Sequence, residues 1–160
     1  MKRALCLTAL VTLSIFTLST NSQAAPPFSF SKQAEPELNW QSDLQAAHKV
    51  ATAQNKPMLL VFGADWCHYC KKLERETLNS KELSTYVNQS FVPVHIDVDK
   101  EKKVAQILKV SGLPCTIVLS PNADLLGRID GFHTASPFHK QLEAARVKHQ
   151  VIQRASSTAQ

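Results

Sequence analysis

An α/β fold, a mixed central β-sheet flanked by helices, is predicted by three observations. The short continuous run Met58-Leu59-Leu60-Val61-Phe62 has the pattern of a central strand buried on both faces. Alternation around Val92, Val94 and Ile96 marks a second strand, and residues 116–119 and 125–129, separated by the turn Pro121-Asn122-Ala123-Asp124, mark an antiparallel pair. Segments of helical apolar spacing separate or follow these runs, giving the order helix, strand, helix, strand, helix, strand, strand, helix.

Each element has a local cause. Lys2 and Arg3 precede an uncharged apolar stretch, 4–18, and Ser22-Gln23-Ala24 offers small residues for cleavage, so 1–24 reads as a secretory signal. That stretch is shorter than the ~20 residues a spanning helix needs. An extended lead-in with three prolines follows over 25–39, then one domain over 40–152 and a polar tail over 153–160. Ser42 with Gln45 resembles a capping box, opening a helix with Leu44, Ala47, Val50 and Ala51 on one face. A further helix runs from about Cys67 to Leu78, and Ser80 caps another through Val87. Glu101 to Val110 carries Val104, Ile107 and Leu108 at helical spacing, and Gly112 ends it. Ser136 is expected to cap the last helix, with Pro137 in its first position and Phe138, Leu142, Ala145 and Val151 along its face.

The formal charge of +5, two units of it in Lys2 and Arg3, is spread over lysines such as Lys71, Lys72, Lys100 and Lys148. These read as solvated helix faces; a nucleic-acid footprint is denser and interleaved with aromatics. No nucleic-acid partner is expected.

The chemistry lies in Trp66-Cys67-His68-Tyr69-Cys70, where a strand gives way to a helix. Free N–H groups at a helix start favour a thiolate on the first sulfur, the attacking species in thiol–disulfide exchange. Cys67 is therefore expected to be exposed and acidic, and Cys70, one turn in, shielded. A c-type haem site needs His after the second Cys, where Lys71 stands, and a structural zinc site needs a second ligand pair that is missing. A soft metal held by Cys67, Cys70 and one of His68 or Cys115 stays open as an alternative. A disulfide across so small a loop stabilises little.

Together with Gly112-Leu113-Pro114 before a strand, the Trp-Cys-x-x-Cys stretch resembles the thioredoxin superfamily from about Trp40 to Ala145. Asn55-Lys56-Pro57, Cys70-Lys71-Lys72-Leu73-Glu74 and Ile96-Asp97-Val98-Asp99 look most like secreted thioredoxin-like proteins, relatives of the periplasmic C-terminal domain of membrane thiol-reductant transporters. The resemblance implies a thioredoxin fold, Cys67 as nucleophile, Cys70 as resolving thiol, and Trp66, His68 and Tyr69 as redox-tuning neighbours. It also implies a cis Pro114, which with Leu113 contacts an extended substrate. Disulfide-containing or thiol client proteins, a membrane redox partner, a monomer in the periplasm or secreted, and no cofactor or resident metal complete the expectation. Thioredoxins proper carry a buried Asp where Val61 stands, a Lys where Pro93 stands, and Thr in place of Cys115.

Several individual residues have two readings. As an imidazolium His68 makes the pair more oxidising; as a neutral solvated ring it does little. Cys115 is either a third thiol within reach of Cys70 or an inert packing residue. Trp66 is expected to pack beside the site, His95 to be a face residue of its strand, and Phe132-His133 to lie opposite the site. The leading function is reduction of protein disulfides, with oxidation as the other direction. A non-catalytic binding module and the metal carrier are the alternatives.

Overall fold

The computed structural model describes residues 37–158. The expected signal segment, most of the lead-in and the last two residues of the tail lie outside them. Nine elements follow in order: α1 (Leu44–Gln54), β1 (Met58–Gly63), α2 (His68–Leu73), α3 (Lys81–Ser90), β2 (Val92–Asp97), α4 (Lys102–Ile107), β3 (Cys115–Leu119), β4 (Leu125–Asp130) and α5 (Ala135–Thr158). A π-helical turn, Glu74–Leu78, continues α2. The sheet order is β2-β1-β3-β4, with β1 parallel to β2 and antiparallel to β3, and β4 antiparallel to β3. All of β1 is buried, as its unbroken apolar run requires of a central strand.

Strand alternation divides the core in two. Leu59, Val61 and Val118 face Leu73, Leu78, Leu83, Val87, Phe138 and Leu142, so α2, α3 and α5 cover one side of the sheet. Met58, Leu60, Phe62, Val94, Ile96 and Ile117 face Ala47, Ala51 and Ala105 of α1 and α4 on the other. The predicted α/β architecture, a mixed sheet between helices, is the one observed.

Several boundaries differ from expectation. Asp43, not Ser42, caps α1, its carboxylate accepting the Ala46 N–H at 2.8 Å, because a carboxylate is at least as good an acceptor there as a hydroxyl. The helix expected over 67–78 is α up to Leu73 and π beyond it. Helix α4 ends at Ile107 instead of running to Val110: Lys109 takes the left-handed conformation, with φ at 53°. Arg128 from β4 donates to the Leu108 and Lys109 carbonyls, satisfying acceptors that the helix end leaves free. Ser136 and Pro137 lie inside the first turn of α5, where a missing N–H costs nothing. That helix runs on through Thr158, with Ser156, Ser157 and Thr158 each donating to a carbonyl four residues back. Leu38, ahead of the expected domain start, is already in the core.

Helices α3 and α5 are pinned by Tyr86, whose hydroxyl meets Glu143, itself held by Arg146. The Arg146 guanidinium first, and the Tyr86 hydroxyl second, hold the Glu143 carboxyl down at about 2. A carboxylate lowered from 4.5 contributes stability that is fully present above that value and lost as pH falls through about 2. The side chains are about a third exposed, so solvent screening limits the effect to under about 1 kcal/mol. Thermal melts of the protein and of Glu143→Gln are expected to converge between pH 4.5 and 2, the protein losing its advantage there. A gap that stays constant to the acid limit contradicts this.

Candidate active site

The site forms where β1 ends and α2 begins. Parallel pairing to β2 and antiparallel pairing to β3 fix the end of β1, and residues 64–67 carry the chain over the sheet edge into the helix. Cys67 is the N-cap of α2 in an extended conformation, and the Cys70 N–H donates to its Sγ at 3.1 Å. A sulfur in that position receives one of the helix's unsatisfied donors, which stabilises negative charge on it. In the structure Cys67 and Cys70 are joined in a disulfide, their Cα atoms 5.3 Å apart.

Burial does not separate the two cysteines as the sequence suggested. Cys67 is 5% exposed and Cys70 8%. Their asymmetry lies in the cap: Cys67 Sγ accepts the backbone donor, and Cys70 sits one turn in. Between them His68 and Tyr69 are exposed, their rings edge to face with centroids 5.6 Å apart.

Trp66 is not packed into the domain; it is 70% exposed. Its indole N–H donates to Asp99 Oδ2 at 2.8 Å, so the ring is tethered to the β2–α4 connection and presented to solvent beside the disulfide. Asp99 thus positions the Trp66 ring; in the sequence it stood only within the Ile96-Asp97-Val98-Asp99 stretch that carries the resemblance, with no role attached to it. A groove of about 420 Å³ runs past the disulfide, lined by Trp66, Cys67, His68, Tyr69, Val98 and Leu113 among others. The Leu113–Pro114 peptide bond is cis, and Leu113 and Val98 pack against the two cysteines.

Cys115 lies elsewhere. It is fully buried in the cluster under α1 and α4, on the sheet face away from α2. Burial, and then the Asp130 carboxylate that its thiol meets, push its pKa up to about 12. Phe132 and His133 are corrections: they dock on the α2 side. Lys72 Nζ stands 4.6 Å over the Phe132 ring, and the buried Thr77 hydroxyl of the π turn donates to the His133 carbonyl at 2.6 Å. The chain leaving β4 folds back over the sheet face that α2 covers, which the sequence order alone does not reveal. Among the described residues no group of three or more His, Cys, Asp or Glu side chains is arranged to hold a metal ion.

Comparison with known proteins agrees with this geometry. A family model described as "Thioredoxin-like domain" matches residues 44–146. "Thiol:disulfide interchange protein DsbD" of Vibrio cholerae is 34% identical over 103 residues, covering 61% of this chain and 17% of that protein. The chain thus corresponds to less than a fifth of that relative's length. Among solved structures, a thioredoxin from Thermus thermophilus superposes with a TM-score of 0.66 at 25% identity, covering 71% of this chain and 90% of that one. The oxidised C-terminal domain of DsbD from Neisseria meningitidis does so with 0.54 at 26% identity, covering 62% and 89%. With the match spanning well over half its residues, and with the vicinal Cys67–Cys70 pair inside it, the chain belongs to the thioredoxin-like domain family.

Proposed function

We propose that this protein is an exported thiol–disulfide oxidoreductase that reduces disulfides in client proteins. The carrying observation is the Cys67 sulfur at the N-cap of α2, bonded to Cys70 and open to an apolar groove. In the reduced protein the Cys67 thiolate attacks one sulfur of a client disulfide. The client's other sulfur leaves with the bonding electron pair and takes a proton. Cys70 then displaces the remaining client sulfur from Cys67, so the client gains two electrons and the dithiol becomes the disulfide. An extended client segment lies along the groove, meeting the Leu113 backbone as a strand edge would, with Trp66 and Tyr69 as its walls.

Export rests on the reading of residues 1–24, and reduction on likeness to a domain of interchange proteins. A dithiol working in an oxidising compartment needs a donor, for which a membrane thiol reductase is the fitting partner; the protein acts as a monomer. No helix among the described residues is long and apolar enough to cross a membrane. The placement of Cys115 supports its reading as packing.

Insulin reduction driven by dithiothreitol tests the activity: it is expected with the protein and absent with Cys67→Ser. Unaltered turnover in that variant rules the site out. Equilibration with glutathione tests the direction. A potential near the roughly −270 mV of thioredoxin fits a reductase, and one near the roughly −120 mV of the oxidant DsbA makes the protein an oxidase tuned by His68.

A further inference from the structure

We propose that His95 accepts the proton that Cys70 loses when it attacks the mixed disulfide, an inference that rests on the thiol-exchange reading above. The step needs an acceptor. The thiolate and not the thiol is the attacking species, so the buried Cys70, 8% exposed, reacts slowly at neutral pH unless a base stands close. The sheet face beneath α2 offers few candidates, because β1 presents Leu59 and Val61 there.

Register supplies one. β1 and β2 are parallel with Val61 opposite His95, and paired residues of neighbouring strands share a face, so the imidazole stands beside Val61 on the α2 side. The next β1 residue on that face is Gly63. A Cβ placed there would lie 3.0 Å from His95 Nε2 and 3.5 Å from the Cys70 Cβ. Imidazole and resolving cysteine therefore border one small gap, which the glycine keeps open. From the far side Glu74, one turn beyond Cys70, brings Oε1 to 3.8 Å from the same Nε2. Trp40 packs against the ring edge to face, with centroids 6.0 Å apart.

Of the charged groups around the ring, Glu74 faces it directly, while Asp97, two residues along β2, is engaged by Lys100 at 3.1 Å. Pro93, two residues back, carries no charge. A proton arriving on the ring thus finds the Glu74 carboxylate 3.8 Å away. The His95 side chain is 40% exposed, so that proton can pass on to water.

The step balances. The Cys70 S–H proton moves to His95 Nε2, and the Cys70 thiolate attacks Cys67 Sγ. The Cys67–client bond breaks with its electron pair on the client sulfur, which is protonated from solvent. The dithiol is oxidised by two electrons as the client disulfide is reduced, and an external dithiol restores it.

Reaction of the reduced protein with 5,5′-dithiobis(2-nitrobenzoate) in a stopped-flow instrument reads the two halves separately. Attack by Cys67 releases the first thionitrobenzoate, and attack by Cys70 releases the second; Cys70→Ala keeps only the first. In His95→Ala the first phase is expected to stay within about twofold, and the second to slow about tenfold or more at pH 7. The pH profile of the second phase should also differ from that of the unaltered protein, and added imidazole should restore part of the rate. His95→Gln, which fills the space without a base, should be as slow as His95→Ala. A second phase in His95→Ala with the rate and pH profile of the unaltered protein overturns the proposal. Full rate in His95→Gln also overturns it, leaving the ring a packing role. A first phase that survives Cys67→Ser instead overturns the thiol-exchange reading itself, and this proposal with it.

Discussion

Extracts from cells expressing Cys70→Ala are expected to contain client proteins bound covalently to the variant, and extracts from cells expressing Cys67→Ala are not. The order of attack is set by the cap. Cys67 Sγ already accepts the Cys70 N–H, the position in which negative charge on sulfur is best stabilised, whereas Cys70 lies within the first turn. The first sulfur therefore forms the mixed disulfide, and removing the second leaves it unresolved. The expected effect is close to all-or-none: adduct bands on non-reducing gels that vanish with dithiothreitol in one variant, and background in the other. Cys115 does not substitute for the missing thiol, since it lies on the other sheet face with its pKa pushed up to about 12. Adducts of equal abundance in both variants would show that the cap does not order the reaction, and none in either that the site does not exchange with proteins.

How much of this was legible in the sequence depends on the distance over which each feature is determined. β1 was legible because six consecutive buried positions leave a single apolar run, and the cysteine pair because spacing and strand–helix context lie within a few residues. Helix ends were less so. The end of α4 is held by Arg128 reaching from β4, about twenty residues away, and the glycine expected to end the helix, Gly112, lies beyond it. Placement across the fold was least legible. Phe132 and His133 dock on α2 and the π turn because of how β4 feeds α5. His95 shows the same limit: its partners Gly63, Cys70 and Glu74 are remote in sequence and meet through the β1–β2 register. An imidazole in a strand reads as a face residue until the residue opposite it is known.

Phe138→Ala is expected to destabilise the protein by roughly 3–5 kcal/mol, and Val151→Ala by less than about 0.5 kcal/mol, although the sequence placed both on one helix face. The difference follows from helical period. Phe138, Leu142, Ala145 and His149 are the buried residues of α5, spaced by three or four, and the stripe continues through His149. Val151 falls off that stripe and is 59% exposed. Phe138 is fully buried among the side chains that also carry Leu73 of the active-site helix and Leu78 of the π turn. Truncating it leaves a cavity the size of a phenyl ring beneath them, adding a packing loss to the lost transfer energy. A melting temperature lowered by about 10 °C or more is the expected reading for Phe138→Ala, with Val151→Ala within a degree or two. Because the cavity opens under the π turn, Phe138→Ala should also loosen the Thr77–His133 tether, seen as faster amide exchange across 74–78 than the global destabilisation alone produces. Equal melting shifts for the two variants would mean that α5 does not anchor the active-site face of the sheet.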